Sequence, residues 1–292
     1  MLTSKLALGT VQFGLEYGIA NEVGKITMSE ASKILRNANE SKIDMLDTAI
    51  AYGDSENVLG KIGVNNFNIV SKLSLPLENY INIGSWVEEQ VKASLGRLGI
   101  PSLYGLLIHR SQNLLGKSSK DLINALNLIK ESGRVKKIGL SIYDPSELDQ
   151  VNQILKLDIV QAPLNIIDRR LEQSGWLSRL HEEGVEVHTR SVFLQGILLM
   201  QRNKIPLKFE RWSDIWNQWN KELKKNHLSA VDACLSYPLS MSNVDRVVVG
   251  VDNEEQLKML IAASQTDAAQ HDWSFMKSND QMLINPSNWS AL

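Results

Sequence analysis

The chain of 292 residues has a single cysteine, Cys234, which excludes an internal disulfide framework. It has no apolar run near the roughly 18 residues that a membrane span needs, and no basic-then-apolar start of the kind that marks a secretory signal. Neither sign of charge dominates: 31 basic and 33 acidic residues leave a formal net charge of −2. That balance gives no electrostatic footprint for nucleic acid or an anionic membrane. There is no internal repeat, no low-complexity tract and no pattern that leads one to expect a metal. These absences leave a soluble cytoplasmic protein acting on a small molecule, with neither nucleic acid nor membrane as partner; a monomer is compatible with them.

What is present is a hydrophobic content of 43%, enough to bury a large core in one domain. Short runs rich in Val, Ile and Leu recur at 5–9, 43–48, 68–72, 104–109, 137–141, 159–163, 185–191 and 246–251. Helix-like stretches at 29–41, 85–98, 118–131, 145–155, 172–183, 228–236 and 254–263 alternate with them. Ser29, Asp144 and Asn253 read as helix caps. Strands that read as buried on both faces and are separated by helices indicate a parallel sheet, and eight such units close most economically into a (β/α)8 TIM barrel of class α/β. The expected domain is a single barrel over 1–292, with a long loop at about 199–226 and a tail at about 270–292. An open doubly wound sheet is the competitor, but the Gly-x-Gly-x-x-Gly turn that a dinucleotide-binding sheet carries after its first strand is missing.

In such a barrel the chemistry belongs at the C-terminal strand ends. Those ends carry Gly9 and Thr10, then Asp47 with Tyr52 just beyond, Lys72, His109, Ser141, Gln161, Arg190 and Gly250. A phenol is a poor acid near neutral pH unless a cation stabilises its phenolate. Lys72 is the candidate cation, and Asp47 on the neighbouring strand is placed to compensate it. His109 is then available to donate to a substrate carbonyl oxygen. A proton donor beside a site for a developing oxyanion is what carbonyl reduction requires.

The spacing Asp47-x4-Tyr52-x3-Glu56-x3-Gly60, "VSKL" at Lys72, "LLIHR" at His109, "GRVKKIGLS" at 133–141 and "VQAPLN" at 160–165 together resemble the aldo-keto reductase family, in order from about residue 6 to 263. The resemblance implies a barrel oxidoreductase that binds a nicotinamide cofactor across the barrel mouth. Tyr52 would be the general acid, Lys72 and Asp47 its activating pair, and His109 the carbonyl-orienting residue. Gly9, Thr10 and Asp47 would border the cofactor, with Ser141 and Gln161 on the carboxamide. Ser191, Phe193, Gln195 and Gly196 would follow the pyrophosphate and ribose. Gly250, Asp252, Asn253 and Gln256, at a helix start with free amides, would meet the adenosine phosphate end.

Three departures from the family pattern stand out. Ile142 follows Ser141 where many members have Asn. Arg190 occupies the place of an aromatic ring against the nicotinamide, where its planar guanidinium would stack instead. After Gly250 the chain offers Asp252, Glu254 and Glu255 where members that prefer NADPH carry a cation. The expected cofactor is therefore NADP(H) or NAD(H), with discrimination of less than about tenfold. The opening "LGTVQFGLEYGIAN" resembles members of sugar and surface-polysaccharide pathways, so the expected substrate is a sugar-derived aldehyde or ketone. Candidate substrate loops are 13–17, 199–226 and 272–292, although Trp212, Trp216 and Trp219 at helical spacing read as core. A catalytically silent nicotinamide-binding subunit and a barrel isomerase or epimerase are the alternatives.

Overall fold

In the computed structural model, which describes residues 2–75, 82–266 and 271–292, eight parallel strands close into one barrel in sequence order. They are β1 (Leu6–Gly9), β2 (Met45–Asp47), β3 (Asn68–Leu73), β4 (Leu103–Ile108), β5 (Val135–Ser141), β6 (Ile159–Pro163), β7 (Glu186–Arg190) and β8 (Arg246–Gly250). Each of the eight expected runs contains or overlaps one of these strands. The expected tail begins at residue 270, which lies outside the described residues.

Register brings the strand ends level. Gly9 pairs with Asp47 on one side and Gly250 on the other, Ser141 pairs with Gln161, and Pro163 with Arg190. Residues far apart in sequence thus share one rim. Inside the barrel Ala7, Met45, Val70, Leu107 and Ile159 form a small inner core, and a much larger apolar layer lies between strands and helices.

The helices depart from expectation in detail. The helix Met28–Glu40 is capped by Thr27, not Ser29, because the Thr27 hydroxyl accepts from the Glu30 amide at 3.2 Å. Asp144 does cap, in a reciprocal box with Glu147, but the helix expected over 145–155 is only a 3-10 turn and the short helix Leu148–Val151. The stretch at 172–183 is broken at Gly175, whose φ of +80° ends one turn before Trp176–Glu182 begins. The helix Ser55–Ile62, just beyond the Tyr52 loop, is too short for its periodicity to stand out in the sequence.

The 199–226 stretch is ordered as 3-10 turns leading into the helix Ser213–Lys225. Its indoles are structural. Trp216 and Trp219 are buried and donate to the carbonyls of Phe209 and Leu198, while Trp289 and Trp273 from the tail pack on Phe209 and Trp219 at ring distances of 4.8 and 5.2 Å. The loop and the tail therefore brace each other beside the barrel.

Candidate active site

Asp47 ends β2, and Lys72 sits one residue before the end of β3, so their side chains meet at the rim. Lys72 is 1% exposed, and its Nζ donates to Asp47 Oδ2 at 2.6 Å, to the Thr48 carbonyl at 2.9 Å and to Tyr52 Oη at 3.4 Å. Burial works against this ammonium, but Asp47 and the Tyr52 oxygen outweigh it and hold the Lys72 pKa above its ordinary value. The same ammonium lies 5.0 Å from the Tyr52 ring centre.

The loop carrying Tyr52 is fixed by the helix Ser55–Ile62 on its C-terminal side. Glu56 of that helix is buried and accepts from Ser71 at 2.8 Å, Ser94 at 2.6 Å and Arg97 Nε at 2.9 Å. It thereby ties the helix to β3, next to Lys72, and to the helix Ile83–Leu98. Gly60 completes the seat: a Cβ there would lie 1.9 Å from the Arg97 carbonyl oxygen. The Tyr-x3-Glu-x3-Gly spacing is the packing code that holds the phenol in place.

His109 directly follows β4. Its ring meets Tyr52 edge-on with centres 6.3 Å apart, and its Nδ1 lies 2.9 Å from Ser74 Oγ. Burial, then Lys72 and Arg190, lower its pKa to about 4, with Asp47 opposing. The ring is neutral at ordinary pH, and the tautomer in which Nδ1 accepts from Ser74 is the one that carries a proton on Nε2.

All four residues line one cavity of about 630 Å³ that runs from the tetrad to the start of the helix Glu254–Ala263. Gly9, Thr10, Ser141, Gln161, Arg190, Ser191, Phe193, Gln195, Gly196, Gly250, Asp252 and Gln256 line it too, so the rim brings most sequence-selected positions together. Asn253 is the exception: its side chain caps the helix, accepting from the Gln256 amide at 2.9 Å. The amides expected to be free at this helix start are largely taken. Glu254 donates to Glu30 Oε1 at 2.8 Å, and Asp252 donates to Gln256 Oε1 at 2.7 Å. Gln161 is engaged as well, donating to Asp47 Oδ1 at 2.7 Å and accepting from Ser141 at 3.3 Å.

Several lining residues escape a reading of the sequence. Gln12, Asn21 and Tyr143 border the cavity, brought there by the segments after β1 and β5, whereas Tyr17, which also lines it, belongs to the 13–17 loop expected from the sequence. Gln12 is 9% exposed, and its buried Oε1 has no partner among the described residues. A Cβ on Gly250 would lie 2.6 Å from Gln12 Nε2, so this bare backbone lets the amide stand in the cavity. An orphaned amide, a glycine-floored cradle and an elongated cavity ending at the tetrad fit an extended dinucleotide. Among the described residues no group of His, Cys, Asp or Glu could hold a metal ion, and no helix is long and apolar enough to cross a membrane.

A closed parallel barrel with a lysine-contacted phenol and a neutral imidazole at its C-terminal rim defines a carbonyl oxidoreductase of the nicotinamide-dependent kind. The model of the Aldo/keto reductase family matches residues 5–280, and the chain belongs to that family. Over 96% of its length it is 24% identical to an NADH-specific methylglyoxal reductase of Escherichia coli (strain K12), of which 95% is covered. It is 25% identical over 59% of its length to aldo-keto reductase YhdN of Bacillus subtilis (strain 168), covering 53% of that protein. Among solved structures, aldo-keto reductase AKR11C1 from Bacillus halodurans superposes with a TM-score of 0.73 at 20% identity, covering 90% of this chain and 87% of that one. The glycerol dehydrogenase AKR11B4 from Gluconobacter oxydans does so with a TM-score of 0.71 at 19% identity, covering 97% and 92%. The chain is accordingly an NAD(P)H-dependent oxidoreductase.

Proposed function

We propose that this enzyme reduces a small, sugar-derived aldehyde or ketone to the alcohol, with NADH as its working cofactor and Tyr52 as general acid. The observation that carries the reading is the Lys72 ammonium placed between the Asp47 carboxylate and the Tyr52 hydroxyl. The bound nicotinamide supplies hydride. The carbonyl oxygen, as it gains charge, is met by the Tyr52 hydroxyl and the His109 Nε2 proton. Tyr52 gives up its proton to that oxygen, and the adjacent Lys72 stabilises the phenolate left behind. Asp47 keeps Lys72 charged and is itself held by Gln161.

The cofactor choice rests on Asp252. This half-buried carboxylate lines the cavity and is held by neutral amides, with Asn21 Nδ2 at 3.3 Å and Gln256 Nε2 at 3.4 Å. Burial raises its pKa, and no cation offsets it among the described residues. Nearby Lys258 is paired with Glu254 and Glu255, and Arg246 faces the opposite end of the barrel, bound to Asp44 and the Ser4 carbonyl. A ribose hydroxyl suits such a place, and a phosphate carrying close to two negative charges does not. The NADH-specific character of the Escherichia coli relative agrees with this. Fluorescence titration with NADH and NADPH, followed by turnover of a panel of aldehydes and ketones, tests the reading. Tight NADH binding with reduction of at least one carbonyl class supports it. Absence of cofactor binding removes it, and tight binding with no turnover favours a silent binding subunit.

A further inference from the structure

Arg190, the last residue of β7, lines the same cavity as Tyr52, Lys72 and His109. Its guanidinium carbon stands 4.7 Å from the centre of the Tyr143 ring. Its Nη2 donates to the Ile142 carbonyl at 2.8 Å and its Nη1 to Ser191 Oγ at 3.2 Å. These neutral contacts fix the plane of the group and leave its charge uncompensated, since no carboxylate pairs with it among the described residues. The two acids that line this cavity are committed elsewhere, Asp47 to Lys72 and Gln161, and Asp252 to Asn21 and Gln256. Arg190 acts electrostatically on His109, helping to keep that ring neutral, so its charge is felt where the carbonyl is bound.

A half-buried guanidinium without an anion is costly to maintain and contributes nothing specific toward a neutral aldehyde. Held flat with unused N–H groups, it is organised in advance to receive a carboxylate or a phosphate. We infer that the carbonyl substrate carries an anionic oxygen group, carboxylate or phosphate, which pairs with Arg190 while its carbonyl oxygen lies between Tyr52 and His109. This rests on the carbonyl-reductase reading and adds the substrate's charge class to it. The cation thereby becomes a specificity residue of this chain at the strand end where the family pattern has an aromatic ring.

The test compares matched substrates within each enzyme: butanal against succinic semialdehyde for the carboxylate, and glyceraldehyde against glyceraldehyde phosphate for the phosphate. In the wild type, kcat/KM should favour at least one anionic member by roughly tenfold or more. In Arg190→Met the anionic-to-neutral ratio should collapse toward one, and Arg190→Lys should keep part of it. The ratio is the readout because a loss of folding or of cofactor binding lowers both members of a pair together. An unchanged ratio in Arg190→Met, or a wild type that favours neither anion, overturns the inference. Weaker NADH binding in Arg190→Met with an unchanged ratio would assign the cation to the cofactor's own phosphates. Should the wild type reduce no carbonyl, the reductase reading falls. The anion site is then decided by saturation-transfer NMR of succinate, inorganic phosphate and neutral succinamide on wild type and Arg190→Met. Anion binding lost in the variant upholds the site, and equal binding of anion and neutral probe removes it.

Discussion

Gln161 on β6 donates from Nε2 to Oδ1 of Asp47 on β2 at 2.7 Å, an interaction across the barrel mouth between strands that do not pair. The other Asp47 oxygen takes the Lys72 ammonium at 2.6 Å. The carboxylate is thus held from both sides, and the position of Lys72 beneath Tyr52 depends on that double hold.

If the three residues act as a unit, their losses will not add. Gln161→Leu should lower kcat by about tenfold and Asp47→Asn by more. Gln161→Leu introduced into Asp47→Asn should cost less than about threefold further. Steady-state kinetics on the four proteins checks this, and multiplication of the two single losses would show that Gln161 acts separately.

If Asp252 at the far end of the cavity governs cofactor choice as proposed, discrimination is sharper than the figure of less than about tenfold expected from the sequence. Wild type should bind NADH at least about tenfold more tightly than NADPH, a difference of roughly 1.4 kcal/mol or more. Asp252→Ser combined with Asn253→Arg should move the ratio toward NADPH by removing a buried negative charge and supplying a cation at the helix start. Dissociation constants from fluorescence titration decide it, and a wild type that favours NADPH contradicts the assignment.

His109 links the site to stability. Its folded-state pKa of about 4 lies below the unfolded value of 6.5, so the unfolded chain takes up the proton first as pH falls. The associated stability is fully present above about pH 6.5 and is lost as pH falls toward 4. Urea unfolding should show wild type losing about 2 kcal/mol more than His109→Asn between pH 7 and about pH 4.5. Parallel pH dependence of the two proteins would mean that the imidazole charges freely in the fold.

The barrel is legible in the sequence because strands buried on both faces read as continuous apolar runs, and the four candidate residues because Asp47, Lys72 and His109 lie at strand ends and Tyr52 in the loop that follows β2. Hydrogen-bond partners are less legible. Nothing in the spacing shows that Glu30, more than two hundred residues away in sequence, takes the Glu254 amide. Nor does it show that Gln161 serves Asp47 as well as Ser141. Gln12 and Asn21 lie in a segment with little periodicity, and only closure of the barrel brings them beside Gly250 and Asp252. Trp212, Trp216 and Trp219 read as core from their helical spacing, and their indole N–H groups are spent on the Asp280 carboxylate and on the Phe209 and Leu198 carbonyls.

Transfer of a proton from Tyr52 is tested most directly by single-turnover oxidation of enzyme-bound NADH on mixing with a reducible aldehyde, wild type against Tyr52→Phe. Lys72 would still pair with Asp47 in the variant, so NADH should bind within about threefold of wild type. The rate of NADH oxidation should fall by roughly a hundredfold or more, the usual worth of a general acid. A Tyr52→Phe enzyme that oxidises bound NADH at close to the wild-type rate would contradict the assignment of the phenol as proton donor.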